Sequence, residues 1–324
     1  MTGDSGAIYI LSAAGIGPSG GATREQRRLL AGDPQTTDLS GLLKELTGEE
    51  FRRIGHFAQL AVACSRIAAL RFKKPIAAKT PLYLATGLGE ALNTLSVFAQ
   101  VINSDDSVCS PYGFVNAVSS TTAFHIAKAG GLNGRSITIS QEELSFEWAL
   151  KLAASDVKSK SAEYALVGGA DESSLPRQEH MRRIRLGDDQ VMGHGAGFLV
   201  LGKNADHAAG ELVDVQWFDS TGEEKNAWVL KIARLVERLK KKTDRVVLLP
   251  GFRLERTHIA SLVGRIAGIE VCNYLPFCGC FHTATAFGIA SVFDAPHERD
   301  TLYLHVNNNA CGRTMAVLIR AFAG

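Results

Sequence analysis

The spacing of hydrophobic and polar residues predicts a chain in which short strands alternate with helices. Apolar runs bounded by glycine or polar residues indicate buried strands, and apolar residues three or four positions apart indicate one-sided helices. The predicted strands cover residues 7–11, 81–86, 137–139, 164–172, 195–201, 211–217, 246–249, 301–306 and a last apolar run ending at 320. The predicted helices cover residues 51–72, 90–101, 110–129, 144–153, 226–242 and, after a glycine turn, the stretch up to 290. This alternation is typical of an α/β protein.

One strand-helix-strand unit organises this pattern. A β-branched run at residues 137–139 stops at Ser140, a helix follows, and a second apolar run with a double glycine comes at residues 164–172. The apolar face of the helix is predicted to contain Leu144, Trp148, Leu152 and Ala153. A helix that begins there gathers free backbone N–H groups and the positive end of its dipole, which favours electrophile chemistry. A cysteine at this place would be an activated nucleophile, but the chain has Glu143.

Glu143 also has a purely structural interpretation. The segment Ser140-Gln-Glu-Glu143 fits a capping box, in which Ser140 accepts a hydrogen bond from the helix and Glu143 returns one. Such a cap stabilises a helix by about 1 kcal/mol. The capping role and a site role are compatible, and the sequence leaves both open.

Composition and charge exclude several classes of function. The chain has 324 residues, 46% of them hydrophobic, which is enough for a large core. Its 35 basic and 33 acidic residues give a net charge of +2, so no overall field attracts nucleic acid. No apolar run approaches the roughly 18 residues that a membrane span needs. We therefore predict no nucleic-acid or membrane partner.

The six cysteines are scattered, apart from Cys278-Gly-Cys280. That pair lacks the two-residue spacer typical of zinc-binding or thioredoxin-like pairs, so reduced thiols are favoured over disulfides. The N-terminus has no basic region of the kind that begins a signal peptide. We predict a cytoplasmic protein with no metal and no cofactor.

The residues around the Glu143 junction resemble the nucleophile region of the β-ketoacyl-ACP synthases. The resemblance rests on Gly131-Leu-Asn-Gly134, Thr138-Ile-Ser140 and Ala165-Leu-Val-Gly-Gly-Ala-Asp-Glu172. In an active synthase, the position of Glu143 carries the cysteine that accepts the acyl chain. The family includes a branch without this cysteine, the chain length factors (KS-beta) of type II polyketide synthases. Those proteins pair with an active synthase and often carry glutamine at this position.

The resemblance implies a thiolase-like fold with five layers, α-β-α-β-α, built from two pseudo-repeated halves. The pattern along the chain agrees with this, because the second half is a shortened copy of the first. We place the halves at residues 1–205 and 206–324, within one compact unit. The alignment of residues 205–245 with the family stays open.

An active synthase also needs two histidines, which help to decarboxylate the malonyl unit and stabilise the oxyanion that forms. By the resemblance, the first histidine position falls on Pro250 and the second on His282. The lysine expected five residues before the second is Phe277, and the gating phenylalanine of the C-terminal pattern falls on Cys311. At most one of the three catalytic positions is therefore kept. A lone His282 also fits a packing role.

The resemblance assigns a second functional region to the helix predicted over residues 110–129. In this family, that helix lies at the dimer interface and lines the space where the acyl chain grows. The predicted tunnel and interface residues are Phe114, Val118, Thr121, Thr122 and His125. His125 also fits a simpler role as a helix residue with a locally satisfied ring.

These features predict a non-catalytic chain length factor that pairs with a catalytic β-ketoacyl synthase and works with an acyl carrier protein. The assembly would be a heterodimer or heterotetramer, and a homodimer stays open. The product, an aromatic polyketide or an aryl polyene, is also open. Two alternatives remain: a stand-alone malonyl-ACP decarboxylase or acyltransferase that uses Glu143 or Cys280, and a pure scaffold subunit.

Overall fold

Strands form the framework of the computed structural model, which describes residues 6–18, 38–51, 54–103, 108–173, 177–187, 190–219, 227–240, 243 and 245–324. Within these residues the strands are β1 Ile8–Ile16, β2 Leu82–Ala85, β3 Ser136–Ile139, β4 Tyr164–Asp171, β5 Gly195–Gly202, β6 Gly210–Asp219, β7 Arg245–Pro250, β8 Ile269–Val271, β9 Thr301–Asn308 and β10 Arg313–Ala321. Every residue of β5 is buried, which explains its continuous apolar sequence.

The strand order repeats between the two halves of the chain. One end of the sheet runs β3-β2-β4-β5-β1 and the other runs β8-β7-β9-β10-β6. In each group the first two contacts are parallel and the remaining ones are antiparallel. A short antiparallel contact between β1 and β6 joins the groups. The predicted boundary at residues 205/206 falls in the connection from β5 to β6, and it stays a prediction.

The helices cover both sheet groups and separate them. They are α1 Ser40–Thr47, α2 His56–Arg71, α3 Ala91–Asn103, α4 Pro111–Asn116, α5 Ser119–Gly130, α6 Ser145–Lys158, α7 Arg177–Arg183, α8 Ala227–Leu239, α9 Arg256–Val263 and α10 Ala284–Ser291. No helix in the described ranges is both long enough and apolar enough to cross a membrane.

Three of the four hydrophobic clusters among the described residues define the layers. The outer core of the first half packs α2 and α5 on the strands, through residues such as Phe57 and Phe198. The central core holds α6 and α10 between the two strand groups, and Leu199 and Val317 point into it from opposite sides. The outer core of the second half packs α8 and α9 on the strands, with Trp228 at its centre. The predicted five-layer α-β-α-β-α arrangement is confirmed.

The helix predicted over residues 110–129 is wrong as a single element. Helix α4 ends at Asn116, and α5 begins at Ser119. Between them Val118 has an extended backbone, with φ −91° and ψ 118°, a conformation that suits a β-branched residue. Because the axis is broken there, Phe114 and Thr122 do not share one helical face.

The helix after β3 also differs from the prediction. A 3₁₀ turn at Glu142–Leu144 comes first, and α6 begins only at Ser145. The buried face of α6 includes Phe146, Glu147 and Leu150, whereas Leu152 is 44% exposed. The apolar face is therefore rotated from the one predicted, and it carries an acidic residue.

Candidate functional site

The nucleophile position lies in the 3₁₀ turn between β3 and α6, and it is filled by a buried ion pair. Glu143 is 3% exposed. Its Oε1 atom accepts a hydrogen bond from Nε of Arg253 at 3.0 Å and lies 2.9 Å from Nη2 of the same guanidinium. Arg253 follows β7 in the second half of the chain. The pair therefore joins the two halves at the position that the sequence analysis predicts for the nucleophile, and that assignment stays a prediction.

Other groups hold Arg253 in place. Its Nη1 atom donates to the backbone oxygen of Arg185 at 2.8 Å, and its Nη2 atom donates to that of Ile184. Asn307, at the end of β9, accepts from the Arg253 backbone N–H at 3.3 Å and donates to the Glu143 backbone oxygen at 3.0 Å. The guanidinium is thus committed to four acceptor contacts, and its position is fixed.

The capping box predicted for Ser140 and Glu143 is wrong. The Glu143 carboxylate binds Arg253, and the residue before α6 makes no side-chain cap. Ser145 provides the local hydrogen bonds: its Oγ accepts from the Gln141 backbone N–H at 2.8 Å and lies 2.6 Å from the Glu142 carbonyl. Glu142 has φ 51°, a left-handed conformation that prevents a regular helix from starting at Ser140.

We call the region around the Glu143–Arg253 pair the Glu143 corner. The two predicted histidine positions add little catalytic potential to it. Pro250 ends β7, and its side chain carries no group that can donate or accept a proton. His282 is buried against Gly87, where an added Cβ would lie 2.2 Å from the His282 Cβ. Its Nδ1 atom has no hydrogen-bond partner among the described residues. The proposed site roles of both positions stay predictions.

Asp171 fixes the region around His282. Its carboxylate accepts from the hydroxyl of Thr86 at 2.7 Å, from the backbone N–H of Gly87 at 2.9 Å and from that of Leu88 at 3.0 Å. The other oxygen accepts from the backbone and the hydroxyl of Thr283 at 3.0 and 2.8 Å. This buried carboxylate therefore ties the turn after β2 to the start of α10.

Phe277 and Cys311 do not meet at the Glu143 corner. Phe277 lines a cavity of about 230 Å³ together with Tyr274, Phe287 and Tyr303. Cys311 is exposed in the turn between β9 and β10. A larger cleft of about 890 Å³ lies beside the ion pair, and its lining includes Arg185, Gln190, Pro250, Arg253, Arg256 and Cys280.

A second buried acid lies one helical turn after Glu143, and the sequence analysis missed it. Glu147 accepts from the Thr285 hydroxyl at 2.9 Å, and His305 Nδ1 lies 4.0 Å from the same oxygen. The Tyr274 hydroxyl and His305 Nε2 are 3.2 Å apart. Burial raises the pKa of Glu147 to about 7 and lowers the pKa of His305 to about 3. His305 is therefore neutral at pH 7, and Glu147 is close to half-protonated.

No metal site accompanies these acids in the part of the chain that is described. No group of three His, Cys, Asp or Glu side chains there could hold a metal ion. The chemistry that the corner supports is that of a fixed, charge-neutral ion pair.

The predicted interface region differs from the Glu143 corner, because many of its apolar side chains are exposed to solvent. Helices α3 and α4 contain no buried residue. We define the α3–α5 face by its exposed apolar residues: Leu92, Leu95, Phe98, Ile102, Val108, Tyr112, Phe114, Val115, Val118 and Phe124. A continuous apolar surface of this kind is unusual on a monomer and is typical of an interaction site.

Not all of the predicted interface residues belong to this face. Thr122 is fully buried, and its hydroxyl donates to Glu90 Oε1 at 2.7 Å. Burial raises the pKa of Glu90, against the opposing effect of hydrogen bonds from Thr122 and Asn93. His125 packs edge-on against Phe51 and Phe124, and partial burial lowers its pKa.

Comparison with known proteins identifies the fold. No protein-family model matches the sequence, and no curated protein matches it. Among solved structures, a structure titled the ishigamide ketosynthase/chain length factor superposes with a TM-score of 0.75 at 15% identity, over 98% of this chain and 100% of the other.

Two further structures agree. A structure titled as a type II PKS acyl-carrier protein in complex with its ketosynthase superposes with a TM-score of 0.71 at 14% identity, over 98% of this chain and 99% of the other. A β-ketoacyl synthase from Burkholderia phymatum STM815 gives 0.71 at 15% identity, over 98% and 100%. Matches over whole chains show that this protein has the thiolase-like fold of the ketosynthases and chain length factors.

Proposed function

We propose that the chain is a non-catalytic chain length factor that pairs with an active β-ketoacyl synthase in the cytoplasm. The pair would extend a chain delivered by an acyl carrier protein, in the biosynthesis of an aromatic polyketide or an aryl polyene. The observation that carries the proposal is the buried Glu143–Arg253 pair at the nucleophile position.

The chemistry of condensation supports this proposal. The acyl chain must be held as a thioester while the malonyl unit loses carbon dioxide, which requires a thiolate and groups that stabilise an oxyanion. Glu143 offers no thiol, and its carboxylate is neutralised by Arg253. Pro250 cannot act as an acid or a base. The partner synthase must therefore supply all of these groups.

The α3–α5 face supports the second part of the proposal, because its apolar side chains are exposed to solvent in the described structure. Strand β3 lies beside α5 at the end of the sheet, so it also presents a strand edge for pairing. A chain of the same fold would offer a similar face and edge, and an interface between two such surfaces would bury both. We commit to the catalytic synthase as the occupant.

The contacts of the predicted tunnel residues separate those that can reach a partner chain from those that hold the helices together. Phe114 is 60% exposed and Val118 is 45% exposed, so both can reach a partner chain. Thr121 donates to the Val115 carbonyl at 2.7 Å and holds α5 against α4. Thr122 fixes α5 to Glu90 from the inside. We propose that Phe114 and Val118 contribute to the wall that limits chain length.

The test is co-expression of this chain with a synthase and carrier protein from the same biosynthetic system. We expect co-purification, and no turnover of malonyl-ACP by this chain alone. Phe114→Ala and Val118→Ala should change the product mass while the complex persists. Leu152→Ala, at an exposed leucine outside the α3–α5 face, is the matched control.

Four outcomes would contradict the proposal. Elongation by the isolated chain would make it an enzyme, and decarboxylation of malonyl-ACP that disappears in Glu143→Gln would favour the decarboxylase alternative. Unchanged product mass in both wall variants, with the complex intact, would favour the scaffold. A homodimer in place of a complex with the synthase would refute the assigned partner.

A further inference from the structure

A partly open cavity in the second half of the chain carries five aromatic rings in its described lining. It lies between β7, β9, the end of α10 and the loop after β8, and its volume is about 230 Å³. The rings belong to Tyr274, Phe277, Phe287, His297 and Tyr303. We refer to this region as the aromatic cavity. Its lining includes no residue of the Glu143–Arg253 pair or of the α3–α5 face.

The fold holds the rings at two depths. Phe287 is 1% exposed and Tyr274 is 3% exposed, whereas Phe277 and Tyr303 are partly exposed. Gly288 allows the Tyr274 ring to lie against α10, because an added Cβ at this glycine would be 2.7 Å from the ring. The buried rings form the floor of the cavity, and the partly exposed rings lie nearer its mouth.

The charged groups in the lining already have counter-charges. Arg245 donates from Nε to Glu270 Oε1 at 2.9 Å. Asp294 Oδ1 accepts from Arg71 Nη1 at 3.4 Å. A charged ligand would therefore enter without a counter-charge of its own, and burying such a charge is costly.

The neutral polar groups of the lining are also engaged. The Tyr274 hydroxyl lies 3.2 Å from His305 Nε2, and the Ser291 hydroxyl donates to a carbonyl of its own helix at 2.8 Å. His297 Nε2 lies 2.9 Å from the Val292 carbonyl oxygen, and partial burial lowers the pKa of His297, so its ring is neutral at pH 7. The lining therefore favours a ligand that is neutral and makes its contacts through rings.

The volume limits the size of this ligand. An apolar cavity of about 150 Å³ in a protein core binds benzene. The aromatic cavity, at about 230 Å³, has room for a second fused ring. Aromatic side chains attract the edges and faces of other rings beyond what burial of apolar area provides, so they favour an aromatic ligand over a saturated one of the same size.

We propose that the aromatic cavity binds a neutral small molecule with two fused aromatic rings. The ligand packs on Tyr274 and Phe287 at the floor and between Phe277 and Tyr303 nearer the mouth. The site is independent of the pairing proposed above, because that pairing uses α3–α5 and β3 in the first half of the chain.

The first test compares three related probes by isothermal titration calorimetry with the full chain at pH 7. The probe 2-naphthol is neutral and aromatic, and it should bind at a single site with a Kd below about 1 mM. The anion 2-naphthoate should bind at least about fivefold more weakly, because its charge finds no counter-charge in the lining. Decahydro-2-naphthol keeps the fused skeleton but lacks the aromatic rings, and it should bind at least about threefold more weakly than 2-naphthol.

A second test locates the ligand, because an exposed thiol lies in the lining. Cys272 is a free, exposed cysteine of the cavity, and Cys311 is a free, exposed cysteine outside it. In thiol-disulfide exchange, a cysteine thiolate attacks a naphthyl disulfide, forms a mixed disulfide and releases one thiol. Binding raises the local concentration of the reagent, so under excess 2-mercaptoethanol Cys272 should be labelled at least about fivefold more than Cys311. Peptide mass mapping measures both, and free 2-naphthol should suppress the labelling of Cys272 alone.

A third test fills the cavity from α10. Ser291→Met places a longer apolar side chain in the lining and should weaken binding of 2-naphthol at least about tenfold. The control is Ser155→Met, at an exposed serine of α6 outside the cavity, and it should bind within about twofold of the original chain. Circular dichroism establishes that both variants are folded. The thiol test uses the original chain and so holds even where Ser291→Met does not fold.

Four results would overturn the proposal. Absence of saturable binding of 2-naphthol would remove the site, and equal labelling of Cys272 and Cys311 would place any binding elsewhere. Unchanged affinity in folded Ser291→Met would do the same. Tighter binding of decahydro-2-naphthol or of 2-naphthoate than of 2-naphthol would assign an aliphatic or an anionic ligand instead.

Discussion

The Glu143 corner and the α3–α5 face differ in how completely their groups are satisfied. At the corner, a buried carboxylate pairs with a guanidinium that is 17% exposed, and the guanidinium also binds two backbone oxygens. At the face, phenylalanines and leucines are exposed, and helices α3 and α4 bury no residue. The first region leaves one oxygen of Glu143, Oε2, without a hydrogen-bond partner among the described residues, whereas the second exposes a whole apolar surface. The difference teaches that the charges of this chain are compensated inside the fold, whereas the apolar area of the face is not.

Four predictions test this contrast. Removing one partner of the ion pair should reduce the stability of the isolated chain, and changing exposed residues of the face should reduce pairing without reducing stability.

The largest effect is expected from Arg253→Leu. It leaves the Glu143 carboxylate buried without its counter-charge, which costs about 3–5 kcal/mol of unfolding free energy. Urea denaturation measures the loss. The exposed pair between Arg182 and Glu179 is the matched control, and Arg182→Leu should cost less than about 1 kcal/mol. The double variant Glu143→Leu/Arg253→Leu should recover part of the loss, since no charge is left behind. A cost below about 1 kcal/mol for Arg253→Leu would contradict the buried-pair description.

The next effect concerns Glu147. Its pKa rises from 4.5 to about 7 on folding, so the folded state binds the proton more tightly than the unfolded state does. Its contribution to stability is therefore fully present below pH 4.5 and is lost as the pH rises through about 7. Glu147→Gln removes this dependence and keeps the bond from Thr285. The variant should gain about 3 kcal/mol relative to the original chain between about pH 4 and 8.

The buried His305 shifts stability in the opposite direction. The pKa of His305 falls to about 3 on folding, so the folded state loses stability as the pH decreases below 6.5. This loss is the same in the original chain and in Glu147→Gln. Chemical denaturation at several pH values gives the difference between them. A difference that does not change with pH would show that Glu147 keeps an ordinary pKa in the fold.

The third effect belongs to the face. Phe98→Ser/Phe124→Ser should weaken association with the synthase by about 30-fold or more, because exposed aromatic anchors dominate such interfaces. Surface plasmon resonance measures the affinity, and the unfolding free energy should change by less than about 0.5 kcal/mol. Leu70→Ser/Leu152→Ser is the control outside the face. Equal loss of affinity in both double variants would remove the face from the interface.

The smallest effect is expected beneath the face. Thr122→Val removes the hydroxyl that donates from α5 to the Glu90 carboxylate, and it should cost about 1–2 kcal/mol of unfolding free energy. Thr121→Val is the control, because its hydroxyl binds a carbonyl at an exposed position and should cost less. Thermal unfolding distinguishes them. The reverse order of costs would contradict the role assigned to the buried bond.

The layered fold could be predicted from the sequence because buried strands such as β4 and β5 are apolar throughout, and each amphipathic helix follows its strand at a short distance. Glu143 and Pro250 could be assigned to site positions by the resemblance, since both lie beside strands that the sequence predicts, and their roles stay predictions. Arg253 could not, because 110 residues separate it from Glu143 and only the meeting of the two halves brings them together.

Glu147 escaped prediction for a related reason. An acidic residue normally marks the solvent side of a helix, and its partners Thr285 and His305 come from α10 and β9. The break at Val118 was also missed, because apolar and small residues at helical spacing continue across it. The pattern of neighbouring residues does not show that Thr285 and His305, from distant parts of the chain, accompany the buried Glu147.

The Glu143–Arg253 pair has a consequence for engineering a nucleophile at this position. Glu143→Cys would introduce a thiol but leave the Arg253 guanidinium without its counter-charge, so the substitution would weaken the protein. Pro250, at the end of β7, would still lack a group that transfers protons. Introducing a thiol therefore requires a compensating change at Arg253, in the other half of the chain.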